Sequence, residues 1–234
     1  MLEPGLVLGI DTCGPAGSVA LGRLVARGVE LLGQTELAGR TYSATLVAAV
    51  GDLLENAGAR LDHLAAIVAV NGPGSFTGVR VGLSAVKGLA EGARIPVVAL
   101  SRLEVLSDKA GLAASALDAH RGEVFLRIAV QGAEARELLA GAQELAALAP
   151  APRRIAICDQ GAATLLGAAW PNAAIVQTAP PTAADALRLC APRVAAGEFV
   201  DLAMLDGHYL RRSDAEIFGA EILGRPAAAE PHPA

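Results

Sequence analysis

Short apolar runs bounded by glycine and proline alternate along this chain with longer stretches whose apolar residues recur at helical spacing. The first pattern is that of buried strands and the second that of amphipathic helices. Leu6-Val-Leu-Gly-Ile-Asp11 reads as a buried strand ending on a carboxylate. Thr12-Cys-Gly-Pro-Ala-Gly17 is turn chemistry, and residues 18–25 return as the second arm of a hairpin. Residues 29–37 form a third strand that alternates less cleanly. A helix follows over 43–57, with Leu46, Val50, Leu53 and Ala57 on one face and Gly58 as its C-cap. A strand over 65–70 then breaks into Asn71-Gly-Pro-Gly-Ser-Phe-Thr-Gly78 and continues as a helix to about residue 92. Residues 95–100 are a strand, and Ser101-Arg-Leu-Glu104 is a capping box that opens the next helix.

This β-β-β-α-β-α-β-α order recurs. Residues 114–119 carry a strand carboxylate, Asp118, followed by a short turn and a strand over 123–130. Residues 141–148 read as helix and 154–158 as strand. Asp159-Gln-Gly-Ala-Ala163 is a second glycine turn, which leads into a helix ending near Trp170. A short strand over 175–177 precedes a helix over 183–196, interrupted at Pro192 or restarted there with the proline at N1. The two units share pattern without evident sequence identity. They predict an α/β, actin-like (ribonuclease-H-like) duplicated fold of two lobes. The expected division is 1–103 for the first lobe, 104–223 for the second, and 224–234 as a tail without packing partners.

Composition narrows the functional classes. Of the 234 residues, 53% are apolar but only 3% aromatic, so the core is built from Ala, Val, Leu and Ile. No apolar run is long enough for a membrane span. The first residues lack the basic and small-residue features of a secretory signal, so a cytoplasmic protein is expected. Net charge is −5 and basic residues cluster no further than pairs such as Arg153-Arg154. That argues against independent nucleic-acid binding, which needs a basic face. Cys13, Cys158 and Cys190 are odd in number and far apart, and the four histidines show no metal-ligand spacing, so neither a disulfide framework nor a zinc site follows. Cys13, in a turn, is the thiol expected to be most reachable.

Candidate chemistry gathers at the glycine stretch. Strand, glycine loop and helix can present backbone N–H groups and a positive helix terminus to an anion. The P-loop spacing is nevertheless absent, since Val79 and Arg80 follow Gly78. Asp11, Thr12, Gly72, Gly74 and Ser75 are the candidates for a degenerate nucleotide loop. Two readings stand beside each other there: phosphate or Mg²⁺ contact between the lobes, or strand-end capping and a tight turn that only glycine permits. For Asp118 and Asp159-Gln-Gly161 the turn reading is preferred.

Gly9-Ile-Asp-Thr12, Gly17-Ser-Val-Ala-Leu21, Asn71-Gly-Pro-Gly-Ser-Phe-Thr-Gly-Val-Arg-Val-Gly-Leu83, Lys87-Gly-Leu-Ala90, Asp118-Ala-His-Arg-Gly-Glu-Val-Phe125 and Tyr209-Leu-Arg211 together resemble the TsaB (YeaZ) family. The matches run from residue 8 to about residue 212, and the glycine signature is the specific one. The resemblance implies a non-catalytic partner subunit in making N6-threonylcarbamoyladenosine at position 37 of tRNAs that read codons beginning with A. It implies that the paralogue TsaD performs the transfer, that this subunit binds and activates TsaD, that the ATPase TsaE joins, and that tRNA is met only through the complex. It implies no cofactor in the isolated subunit, with ATP or ADP and Mg²⁺ only in the assembly. TsaD resembles this chain through the signature and then carries two metal-binding histidines four apart; Arg102 and Leu106 stand at those positions. Neither can donate a lone pair to a metal. Where family members often carry a histidine before the first helix, this chain reads Gly39-Arg-Thr-Tyr-Ser43.

The helices over 43–57 and 78–92 carry broad apolar faces. In the second, only Arg80, Ser84, Lys87 and Glu91 make a polar stripe. An apolar face much wider than a buried stripe needs cover. That cover can come from within the monomer or from a partner. The resemblance implies a partner bound through helices of this lobe, which puts Val47, Gly51, Leu54, Gly82, Ala85 and Leu89 at the interface, or at a homodimer face when the partner is missing. Readings from other classes are a glycoprotease-type (M22) metallopeptidase, which requires a metal site, and an actin-like small-molecule kinase, which requires ATP in the cleft.

Overall fold

The computed structural model describes residues 5–39, 41–129 and 135–211. The expected tail, 224–234, lies outside them. The first unit runs β1 (Leu6–Asp11), β2 (Gly17–Val25), β3 (Gly28–Leu37), α1 (Tyr42–Asn56), β4 (Leu64–Val70), α2 (Phe76–Ala93), β5 (Val97–Leu100) and α3 (Arg102–Ala110). The second runs β6 (Ala114–His120), β7 (Glu123–Ile128), β8 (Arg136–Gly141), α4 (Ala142–Ala147), β9 (Arg154–Ile157), α5 (Gln160–Ala169), β10 (Ala174–Gln177) and α6 (Ala183–Ala196). The sheets are ordered β3-β2-β1-β4-β5 and β8-β7-β6-β9-β10. In each, the first three strands are an antiparallel meander, and the fourth and fifth join in parallel. The duplicated actin-like, ribonuclease-H-like topology expected from the pattern is the one observed.

Among the described residues, the last helix of each unit is exchanged. In the first sheet, α1 packs on β2 and β3 and α2 on β1 and β4, while the other face is covered by α6. Gly9 permits this close approach, because a Cβ there would lie 2.8 Å from the Ala183 carbonyl oxygen. The Ala183 and Ala184 N–H groups donate to Ser18 Oγ (2.8 Å) and Gln34 Oε1 (3.2 Å) of that sheet. Leu187, Cys190, Ala191 and Val194 complete its core. Conversely, α3 sends Leu103 and Leu106 into a cluster with Leu117, Ala119, Phe125 and Ala156 of the second sheet. Lys109 ties the two exchanged helices together, donating to Asp185 Oδ2 at 2.7 Å and to the Pro180 carbonyl at 2.9 Å. A boundary at 103/104 therefore falls inside α3, and residues 183–196 pack with the first sheet although they lie in the expected second lobe.

Three local expectations are corrected. The Ser101 side chain caps α3 by accepting from Leu103 N (3.1 Å), but Glu104 pairs with Arg193 of α6 instead of closing a capping box. The third strand that the recurring order implies for the second unit, but that no run of residues marked, is β8, because Arg136-Glu-Leu-Leu-Ala-Gly does not alternate. Helix α6 runs unbroken through Pro192. The proline faces solvent, so its lost N–H and ring clash fall on the side that does not pack.

Candidate functional site

The two strand-end carboxylates form matching turns. Asp11 Oδ1 accepts from Cys13 N at 2.8 Å, and Asp118 Oδ1 accepts from His120 N at 2.7 Å. Around Asp118 the turn is reinforced: Asp159 Oδ2 accepts from Asp118 N (3.0 Å), while its other oxygen caps α5 through Ala162 N (2.8 Å). Gly161 is required there, since a Cβ would lie 2.4 Å from Asp118 Cγ.

Asp11 is 1% exposed and Arg102 5%. Arg102 Nε donates to Asp11 Oδ2 at 3.3 Å, so each carboxylate oxygen already holds a donor. Burial opposes the Arg102 charge, yet the Asp11 carboxylate and the neighbouring thiols of Cys13 and Cys158 hold its pKa above the ordinary arginine value. Two expectations for this turn change. Thr12 is buried and donates its hydroxyl to the Gly78 carbonyl at 2.7 Å. Cys13 is not reachable: it is 1% exposed, and its thiol donates to the Val70 carbonyl at 3.2 Å. Burial, and then the Asp11 carboxylate, push that thiol well above its usual pKa.

The glycine loop is docked on the first turn by its own backbone. Ser75 N donates to the Cys13 carbonyl at 2.8 Å, and the Gly72 carbonyl accepts from Arg102 N at 2.6 Å. Gly72 has φ +117°, and a Cβ on Gly74 would lie 2.2 Å from the Cys13 carbonyl oxygen. Gly78 and Gly82 meet Thr12 as closely, at 2.1 and 2.2 Å from its carbonyl and hydroxyl oxygens. Gly74 and Gly78 are small because backbone meets backbone, and Gly82 because the Thr12 side chain fills the space. Ser75 Oγ caps α2 by accepting from Gly78 N at 3.3 Å, so the helix starts two residues earlier than expected.

The segment after α6 closes the arrangement. His208 N donates to the Asn71 carbonyl (2.7 Å), and Asn71 Nδ2 donates to the Asp206 carbonyl (3.3 Å). Arg211 Nη1 donates to the Ala119 carbonyl at 2.5 Å and also pairs with Glu123. Tyr209 stacks on Phe76, with ring centroids 4.7 Å apart, and Arg80 lies over both rings. A residue that the sequence did not single out, Glu137 on β8, accepts from Ser101 Oγ (2.6 Å) and Arg127 Nη1 (2.8 Å) and lies 2.9 Å from His208 Nε2. Burial would raise its pKa, but these three partners outweigh it and hold the carboxyl below the ordinary glutamate value. Both hairpin turns, the glycine loop and this strap line a cavity of about 740 Å³ between the sheets. Among the described residues no group of His, Cys, Asp and Glu is arranged to hold a metal ion. No helix of the described residues is long and apolar enough to cross a membrane.

The expected interface residues divide. Val47 is 59% exposed and Gly51 is exposed beside it, while Ala85 and Leu89 on α2 are half-buried. Leu54, 8% exposed, packs into the first core, and Gly82 is sealed against Thr12, so these two are not on the free face.

Two five-stranded sheets with exchanged helices and paired hairpin turns define a member of the duplicated actin-like class. Residues 34–148 match the family described as TsaD: tRNA N6-adenosine threonylcarbamoyltransferase. The chain is 38% identical over 125 residues to the tRNA threonylcarbamoyladenosine biosynthesis protein TsaB of Haemophilus influenzae, covering 51% of each chain. It is 35% identical over 128 residues to TsaB of Escherichia coli, covering 51% of this chain and 52% of that one. The match thus spans about half the length of these curated relatives. In structure it is similar to YeaZ from Pseudomonas aeruginosa, with a TM-score of 0.67 and 27% identity over 88% of this chain and all of that one. Over about half its length in sequence, and over most of it in structure, the chain is thus similar to TsaB (YeaZ) proteins.

Proposed function

We propose that this protein is a non-catalytic partner subunit in the synthesis of N6-threonylcarbamoyladenosine in tRNA, binding and activating a TsaD-type transferase. The observation that carries the reading is the Arg102–Asp11 pair. At the position where the transferase-type chain would hold a metal-binding histidine, this chain has a guanidinium that saturates the cleft carboxylate. At the second such position Leu106 is fully buried in the core. The local chemistry offers no donor at either point. What the first unit does offer is the face of α1 and α2, where Val47, Gly51, Ala85 and Leu89 leave apolar and small side chains at the surface. Small residues let a partner helix approach closely, and an apolar patch gains from cover. Nucleotide and Mg²⁺, on this reading, belong to the assembled complex with TsaD and TsaE, and tRNA is met only there. The test is reconstitution of the transferase, the ATPase, threonylcarbamoyl-AMP synthase and tRNA with and without this chain. Loss of modified adenosine on its omission is the expected result; undiminished product would sink the proposal.

A further inference from the structure

The Arg102–Asp11 pair uses only one of the guanidinium's donors, Nε. Among the described residues the two Nη groups donate to no acceptor. They are not sealed away either, since the buried side-chain polar atom left without a partner is Ser107 Oγ. Arg102 lines the 740 Å³ cavity, so its Nη edge opens there. Gly14 keeps that edge uncovered: a Cβ at this position would lie 2.4 Å from Arg102 Nη2. We propose that the cavity binds a small organic anion whose carboxylate or phosphate group sits on the Nη edge of Arg102.

The surroundings fit such a ligand. The Nη pair is a planar fork that matches two oxygens of an oxyanion. Gly74, Ser75 and Phe76 bring the N-terminus of the 18-residue α2 to the same cavity, where its dipole favours negative charge. Phe76, Tyr209, Phe125 and Leu117 supply an apolar wall for the rest of the molecule, in a space of the size that holds small ligands. Asp118 and Asp159 also line the cavity, and both carboxylates are engaged with backbone N–H groups, Asp118 with His120 N and Asp159 with Asp118 N and Ala162 N. Their charge confines an anion to the Arg102 end.

The test is calorimetric titration at fixed ionic strength with two probes, inorganic phosphate and benzoate, which separate a phosphate from a carboxylate ligand. The wild type should bind at least one of them saturably. Arg102→Lys keeps a cation for Asp11 but loses the fork, and Gly14→Ala covers Nη2 while leaving every charge in place. Each should weaken binding about tenfold or more. In wild-type 1H–15N spectra, the Arg102 Nε–H and the Gly14 and Gly74 amides should shift on saturation. Absence of saturable binding to both probes, affinity unchanged in both variants, or shifts that avoid these three groups would overturn the proposal. None of these readouts involves complex formation, so this site and the partner-subunit reading can fail separately.

Discussion

Asp11 and Arg102 stand 91 positions apart, and their meeting is the feature that single-residue reasoning could not reach. The sequence marks Asp11 as a strand-end carboxylate and Arg102 as a non-ligand, but only packing reveals that one neutralises the other. Removing the cation alone strands a buried carboxylate, so Arg102→Leu should cost about 3–5 kcal/mol in urea denaturation. Combining it with Asp11→Asn, which keeps an oxygen for Cys13 N, should recover much of that loss. Additive losses in the double variant would show that the pair is not coupled. Glu137 was missed for a different reason: it sits in no motif, and its importance comes from Ser101, Arg127 and His208, which converge on it from three other segments. Its folded pKa lies below its unfolded one, so its contribution is present above the unfolded value of about 4.3 and fades as pH falls through the folded value. Wild type should therefore exceed Glu137→Gln in denaturation midpoint near pH 7, and the gap should close below about pH 4. A gap that persists undiminished in acid would contradict this assignment.

Elements were legible in proportion to how far local chemistry decides them. Strands β1, β2 and β4 and helices α1 and α2 combine strong periodicity with glycine turns, and each emerges within a few residues of its expected bounds. Strand β8 carries no alternation because its Glu137 points to a polar cluster instead of solvent. Pro192 reads as a helix breaker, since sequence alone does not say which face of α6 is docked. The N-terminus of α6 is held more firmly than the sequence suggested: Thr182 and Asp185 form a capping box, and Ser18 and Gln34 bind the next free N–H groups. Thr182→Ala should destabilise the protein by about 1 kcal/mol, read as a lowered urea midpoint with unchanged slope. The same substitution should loosen residues 183–196 in hydrogen exchange before it affects α3.

At the scale of the molecule, the free face of α1 and α2 and the exchanged helices pull in different directions. Val47→Glu puts a charge on an exposed residue, and Ala85→Glu puts one on a half-buried position of the neighbouring helix. Both should abolish co-purification with a TsaD-type partner while Val47→Glu leaves the urea midpoint within about 0.5 kcal/mol of wild type. Retained capture by both variants would move the interface elsewhere. Leu54, buried beneath that face, is unsuitable for the test because a charge there would unfold the core. The exchange of α3 and α6 also sets an order of events during synthesis. When the ribosome has delivered residue 110, all five strands of the first sheet exist, but the helix that covers one face of it is still unmade. That face, with Gly9 at its centre, stays bare until residue 196 emerges, on the order of ten seconds later. A fragment ending at residue 110 should therefore aggregate or bind chaperones, and adding residues 182–211 in trans should raise its solubility. The nascent first sheet, in this sense, waits for α6 as a partner supplied by its own chain.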